Sequence, residues 1–274
     1  MIREFRIEIP QADVDDLRHR LSRTRWGAEI PGQGWRRGVP VAYLRDLAEY
    51  WGREFDWRAA EARLNELPQF LTELDGQTIH FAHVRSADPA ATPLLISHDW
   101  PGSFALYLPV VEALRDHFHL VLVSNPGMVF SGPLTSAGWN TARSAAALNE
   151  LMGRLGYDRY GVQGTGGGAG IAVEMGRQAP KSVIGVHVNG HITVPSGDPG
   201  DFDGLTEAEQ ERLRRLQEFR DDKMGFNAIQ SPGRRRSRSA SPTHRPASWP
   251  GSPRSSWSGP IRRSRSIATC CSPT

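Results

Sequence analysis

The chain has 274 residues, a length that can bury the core of one large α/β domain, and no run in it approaches the roughly 18 apolar residues of a membrane span. Its formal charge of +3 averages two unlike segments: nine Arg and no Asp or Glu lie in residues 231–274, so residues 1–230 carry −6 and the tail +9. The basic balance therefore belongs to the tail and gives no reason to expect nucleic-acid binding by the body.

The opening Met1-Ile2-Arg3-Glu4-Phe5 lacks the apolar stretch of a signal peptide, so a soluble, cytoplasmic protein is expected. Both cysteines, Cys270 and Cys271, sit in the tail and provide neither a disulfide framework nor a zinc spacing. No metal and no cofactor is expected.

The first ~70 residues read as helical, a segment that packs onto the α/β domain after it. Val14, Leu17 and Leu21 mark one face of a helix. A second helix is predicted from Pro40 to Phe55 and a third from Asp56 to Asn65. Trp26, Trp35, Trp51 and Trp57 are large apolar anchors that need a surface to bury against. Next, Phe70–Leu74, the turn Asp75-Gly76 and Thr78–Val84 read as a β-hairpin. Strands at 93–97, 120–123, 159–163 and 183–188 then alternate with helices at 104–117, from Asn140 onward and at 169–178. That alternation predicts a mostly parallel sheet with helices on both faces. Thr206 to Lys223 reads as a charged helix beyond the last strand.

Tyr160-Gly161-Val162-Gln163-Gly164-Thr165-Gly166-Gly167-Gly168 is a strand running through a tight glycine turn into a helix. This is the layout of a nucleophile elbow, which holds one reactive side chain above the sheet. At the turn position stands Gly166, which has none.

Within residues 1–229 stand Phe5–Pro10, Thr24-Arg25-Trp26, Phe55-Asp56-Trp57-Arg58, Ile79-His80-Phe81, His98-Asp99-Trp100-Pro101-Gly102-Ser103-Phe104, Phe130-Ser131-Gly132-Pro133 and Leu155-Gly156-Tyr157. By these segments the chain resembles the epoxide hydrolases of the α/β-hydrolase fold, in the microsomal-type branch. The resemblance implies a mechanism. An elbow aspartate attacks an epoxide to give an ester, and water activated by a His–carboxylate pair releases the diol. It implies an apolar epoxide as ligand, a pocket at His98, Asp99, Trp100 and Pro101, and an oxyanion hole from the backbone N–H groups of Trp100 and Gly167.

Four departures stand against that pattern. The family's elbow reads Gln-Gly-Gly-Asp-x-Gly, and Gly166 takes the aspartate's place. Asp99 replaces a glycine, and Asn125–Phe130 departs from Leu-Pro-Gly-Phe-Gly-Phe. The late acid and histidine of the family have no counterpart, and His187 and His191 read as core or edge residues. Asp99 and Thr165 are weak candidates for a substitute nucleophile.

The tail holds twelve Ser and seven Pro beside its nine Arg and lacks Leu, Val, Phe, Tyr and Met, so it is expected to be disordered. GC-rich codons for residues 239–251, read one nucleotide out of frame, resemble the family's lid. A frameshift near Gln230–Arg236 and a C-terminally truncated fold are therefore expected. The resulting division is 1–68 N-terminal helical segment, 69–200 partial hydrolase core, 201–230 start of the lid and 231–274 tail. The leading expectation is an epoxide hydrolase by descent, inactive in this copy. The alternatives are a non-catalytic small-molecule binder or scaffold and, remotely, an Arg/Ser-rich nucleic-acid binder.

Overall fold

The computed structural model describes residues 1–190 and 198–225. His191 and the tail from 226 lie outside the described residues. Two compact units form. The first joins Met1–Glu8 to the chain from Arg58 to the end of the last strand, and the second joins Ile9–Trp57 to residues 198–225.

The first unit is built on a seven-stranded sheet. Its strands are β1 (Arg3–Phe5), β2 (Gln69–Leu74), β3 (Gln77–Val84), β4 (Thr92–Ser97), β5 (Phe118–Val123), β6 (Tyr160–Thr165) and β7 (Val183–Asn189), in the spatial order β1-β2-β3-β5-β4-β6-β7. The pairings β1–β2, β2–β3 and β3–β5 are antiparallel, and β5–β4, β4–β6 and β6–β7 are parallel. The alternating strands thus pair in parallel as predicted, and the sheet is mixed because the predicted hairpin adds antiparallel strands at one side. Asp75 (φ 49°) and Gly76 (φ 71°) both take the left-handed turn conformation that returns the chain antiparallel, and Arg3–Phe5 adds an antiparallel strand outside it.

The helices are α1 (Gln11–Ser22), α2 (Val41–Arg53), α3 (Trp57–Leu64), α4 (Leu108–Leu114), α5 (Thr141–Arg154), α6 (Gly167–Gln178) and α7 (Glu207–Lys223). The predicted helix at 104–117 begins as a 3-10 turn over Phe104–Tyr107 and ends at Leu114. Asn140 caps α5 by accepting from the Arg143 N–H, and Thr206 and Glu209 form a capping box on α7.

One face of the sheet packs on α5 and α6. Ile79, Phe81, Leu95, Val121, Val123 and Val162 close on Leu148, Leu151, Met152, Ala172 and Met175. Leu148, Leu151 and Met152 recur at helical spacing, so α5 offers a continuous apolar stripe to the sheet. The opposite face carries His80, whose ring meets Phe5, Phe104 and Phe130 edge-on or tilted. In the second unit Val14 and Leu21 of α1 are buried, and Arg45 of α2 lies over the Trp26 ring. Trp35, expected to be a buried anchor, is 41% exposed and meets Tyr43 at 5.3 Å. The strand β7 also differs from a buried parallel strand: Ile184, Val186 and Val188 are exposed along it.

Candidate active site

Parallel strands β4 and β6 lie side by side, with Ser97 opposite Gly164. Beyond β4 the chain turns towards α4 and β5 on one side. Beyond β6 it turns into α6 and then β7 on the other. A crevice opens at the carboxyl ends of strands where connections diverge in this way. The register fixes what meets there: two residues past Ser97 comes Asp99, and two residues past Gly164 comes Gly166.

The backbone at Gly166 is that of an elbow, with φ 54° and ψ −116°, and it ends β6 and caps α6. Its neighbours are glycine for reasons of space. A Cβ at Gly168 would come within 2.5 Å of the Ser97 carbonyl oxygen, and one at Gly164 would fall on the Gly168 carbonyl. Strand and helix are held this close so that the turn can be tight. Glycine at 166 has a different cause. A Cβ there would overlap the Asp99 carboxyl group, and even Asp99 Cβ would be 2.9 Å away.

Asp99 therefore occupies the space above the elbow. Its Oδ1 accepts from Trp100 N–H at 2.8 Å and from Gly167 N–H at 2.9 Å. These two backbone groups are the pair that the resemblance to epoxide hydrolases implies as an oxyanion hole. The Gly167 N–H is the first of α6, where unpaired donors and the helix dipole favour an anion. No hydrogen bond is made to Asp99 Oδ2 among the described residues.

The remaining sequence candidates sit around this carboxylate or behind it. His98 is buried, and both ring nitrogens face backbone: Nδ1 donates to the Asp99 carbonyl at 2.9 Å and Nε2 accepts from Asn125 N–H at 3.3 Å. Burial pushes its pKa down, partly offset by the Asp99 carbonyl and charge. Asn125, a departure from the family's leucine, donates from Nδ2 to the His98 carbonyl at 2.6 Å and accepts from Ser97 Oγ at 2.8 Å. It ties the loop after β5 to the end of β4. The Thr165 hydroxyl oxygen lies 3.1 Å from the Tyr107 hydroxyl and 3.1 Å from Gln163 Nε2, both donors to it. It is thus held among side chains at the strand end rather than presented above the turn. The Tyr107 hydroxyl also lies 3.2 Å from the Ser97 carbonyl, and burial raises its pKa. Trp100 is 38% exposed beside the crevice, joined to Pro101 by a cis peptide bond. His187 is exposed on β7. Tyr107 is the site neighbour that sequence reasoning missed. Its place one turn after Ser103 in the 104–117 helix was the signal available.

A cleft of about 350 Å³ near Arg85, His119 and Tyr157 opens where the parallel strands begin, at the opposite end from the elbow. It contains none of the elbow residues. The buried histidines His80, His83 and His119 bond to Ser124 and Gln69, to Tyr157, and to backbone at Ser86, and none of them is paired with a carboxylate among the described residues.

A family model described as "Epoxide hydrolase N terminus" matches residues 2–107, and one described as "alpha/beta hydrolase fold" matches residues 92–272. A protein of Stigmatella aurantiaca, provisionally named an epoxide hydrolase, is 39% identical over 240 residues, covering 84% of this chain and 54% of its own length. Epoxide hydrolase 1 of Oryctolagus cuniculus is 33% identical over 202 residues, covering 69% of this chain and 44% of its own. The solved structure of the Aspergillus niger epoxide hydrolase superposes with a TM-score of 0.74 at 31% identity, over 84% of this chain and 62% of that one. The chain spans about half the length of the curated relatives it matches. On these grounds, and on the elbow and strand order above, the chain belongs to the α/β-hydrolase fold family and carries the N-terminal segment of its epoxide hydrolases.

Proposed function

We propose that this chain descends from epoxide hydrolases and does not carry out their full two-step reaction. The carrying observation is Gly166. The elbow is folded, with φ 54°, and offers no side-chain carboxylate from its apex. The two N–H groups of Trp100 and Gly167 form the anion hole in this reading, and Asp99 already fills it. The ligand is a small apolar epoxide, with His98, Trp100 and Pro101 at the pocket. No nucleic acid is bound, and the cytoplasm is the compartment. Removing a reactive member of such a site typically costs several orders of magnitude in rate. The test is diol formation from styrene oxide by purified soluble protein. No sustained turnover above buffer is expected, and many turnovers per chain would overturn the reading.

The tail belongs to the same proposal. Its Arg, Ser and Pro composition and its lid-like out-of-frame reading support a frameshift near Gln230–Arg236. Sequencing the gene tests this, and the idea fails if no single-nucleotide shift restores an open, lid-like frame. A second reading, a non-catalytic binder that kept its pocket, is favoured by one observation: the hole, rather than collapsing, is filled with a hydrogen-bonded carboxylate. It predicts a cooperative, monodisperse protein.

A further inference from the structure

The lost elbow carboxylate and the gained Asp99 are one event in space. Three observations meet at Asp99. Its Oδ1 takes hydrogen bonds from both donors of the hole, at 2.8 and 2.9 Å. Its Oδ2 lies where the first side-chain atom of residue 166 would be. That oxygen carries no hydrogen bond among the described residues, and Asp99 is only half-buried. One oxygen is anchored and the other is free at the apex of the elbow. This is the division of labour that alkylation of a carboxylate needs. The free oxygen supplies the electron pair, and the anchored one becomes the ester carbonyl, held in place by N–H donors.

We propose that Asp99 is a covalent acceptor for small apolar epoxides, reacting once per chain. The proposal rests on the reading above that the crevice admits epoxides. Asp99 Oδ2 forms a bond to an epoxide carbon. The strained carbon–oxygen bond breaks, and its electron pair leaves on the epoxide oxygen, which takes a proton from water. The product is a β-hydroxyalkyl ester on Asp99, with hydroxide released. The ester then persists. Hydrolysis needs a base to draw a proton from water. His98, the nearest histidine in sequence, has both nitrogens committed to backbone partners at Asp99 and Asn125. The chain thus performs the first half of a hydrolase reaction from a relocated carboxylate and stops there.

The test is intact-mass analysis and peptide mapping of the full chain after incubation with styrene oxide. One adduct per chain is expected on the peptide holding Asp99, removed by hydroxylamine as an ester is and a thioether on Cys270 or Cys271 is not. Asp99→Asn keeps the shape and the Oδ1 acceptor but lacks the nucleophilic oxygen, and it should lose this adduct with its melting temperature nearly unchanged. Should Asp99→Asn fail to fold, Asp99→Gly serves the same purpose, since glycine leaves the elbow free. The double variant Asp99→Gly/Gly166→Asp should move the adduct to position 166. Absence of an ester at Asp99, while the unreactive diol of styrene oxide still raises the melting temperature, would sink this proposal and leave the pocket reading standing. Sustained diol release would overturn the inactivity reading. It would also overturn the single-reaction claim. Equal labelling of wild type and Asp99→Asn at the same peptide would overturn the assignment to Asp99.

Discussion

The side-chain amide of Asn65 holds Ile7 by both of its backbone groups. Asn65 Oδ1 accepts from Ile7 N–H at 2.9 Å, and Asn65 Nδ2 donates to the Ile7 carbonyl at 2.8 Å. Ile7 is 1% exposed, so neither backbone group has water to turn to. Asn65→Ala should cost about 1–3 kcal/mol, the usual loss when buried backbone groups lose their partners. Asn65→Asp should do no better, because it removes the donor and adds a charge. Urea denaturation of the three proteins checks this. Equal midpoints would mean that the first residues of the chain do not depend on the clamp.

Gly166→Asp alone should destabilise the chain, since the new side chain meets the Asp99 carboxylate in a space fit for one. Left-handed backbone at 166 adds strain of about 1–3 kcal/mol for a residue other than glycine. In an Asp99→Gly background the same substitution should be tolerated better. A double-mutant cycle on thermal stability should therefore give a coupling of the order of 1–3 kcal/mol favouring the exchanged pair. Additive effects would mean that the two side chains do not share the space.

Val129 has φ 49°, a conformation costly for a β-branched residue. The family pattern has glycine at this position. Val129→Gly should stabilise the fold by about 1 kcal/mol, the relief of strain exceeding the entropy that glycine adds to the unfolded chain. A melting temperature below that of wild type would contradict the account.

Burial pushes the His80 pKa down from 6.5 to about 4, with the nearby His98 adding to the effect. Its ring is neutral in the fold: Nε2 donates to Gln69 Oε1 at 2.9 Å, which leaves Nδ1 to accept from the Ser124 hydroxyl at 2.8 Å. Between pH 6.5 and 4 the unfolded chain takes up a proton that the folded chain refuses. Stability therefore falls as pH drops through that window, by an amount of the order of 3 kcal/mol from this group. His83, also lowered to about 4, mainly by burial, acts in the same direction. Stability measured from pH 7 to pH 4 in wild type and His80→Gln should show a shallower fall in the variant. Parallel curves would remove His80 from the explanation.

The sequence was legible where short-range rules decide. Asp75-Gly76 specified a hairpin turn, Asn140 capped the helix it precedes, and the spacing of Leu148, Leu151 and Met152 matched the buried stripe of α5. The elbow backbone was legible for the same reason, since glycines at 164 and 168 let a strand and a helix crowd together on either side of the turn. The occupancy of the elbow was not. Asp99 and Gly166 are 67 positions apart in sequence, and only the register of β4 on β6 brings them together. Read locally, Asp99 was a departure from a glycine and a weak candidate for a substitute nucleophile. In the fold its Oδ1 accepts from the Trp100 and Gly167 N–H groups beside the elbow. The exposure of Ile184, Val186 and Val188 was equally hidden, because an apolar run states that a strand seeks burial and not whether a neighbour provides it.

The register that sets Ser97 against Gly164 also couples two positions far apart in sequence. Positions 99 and 166 share one seat for a carboxylate, so a side chain at one leaves no room for a side chain at the other. Any redesign that refills position 166 must therefore vacate position 99, and the two sites count as one.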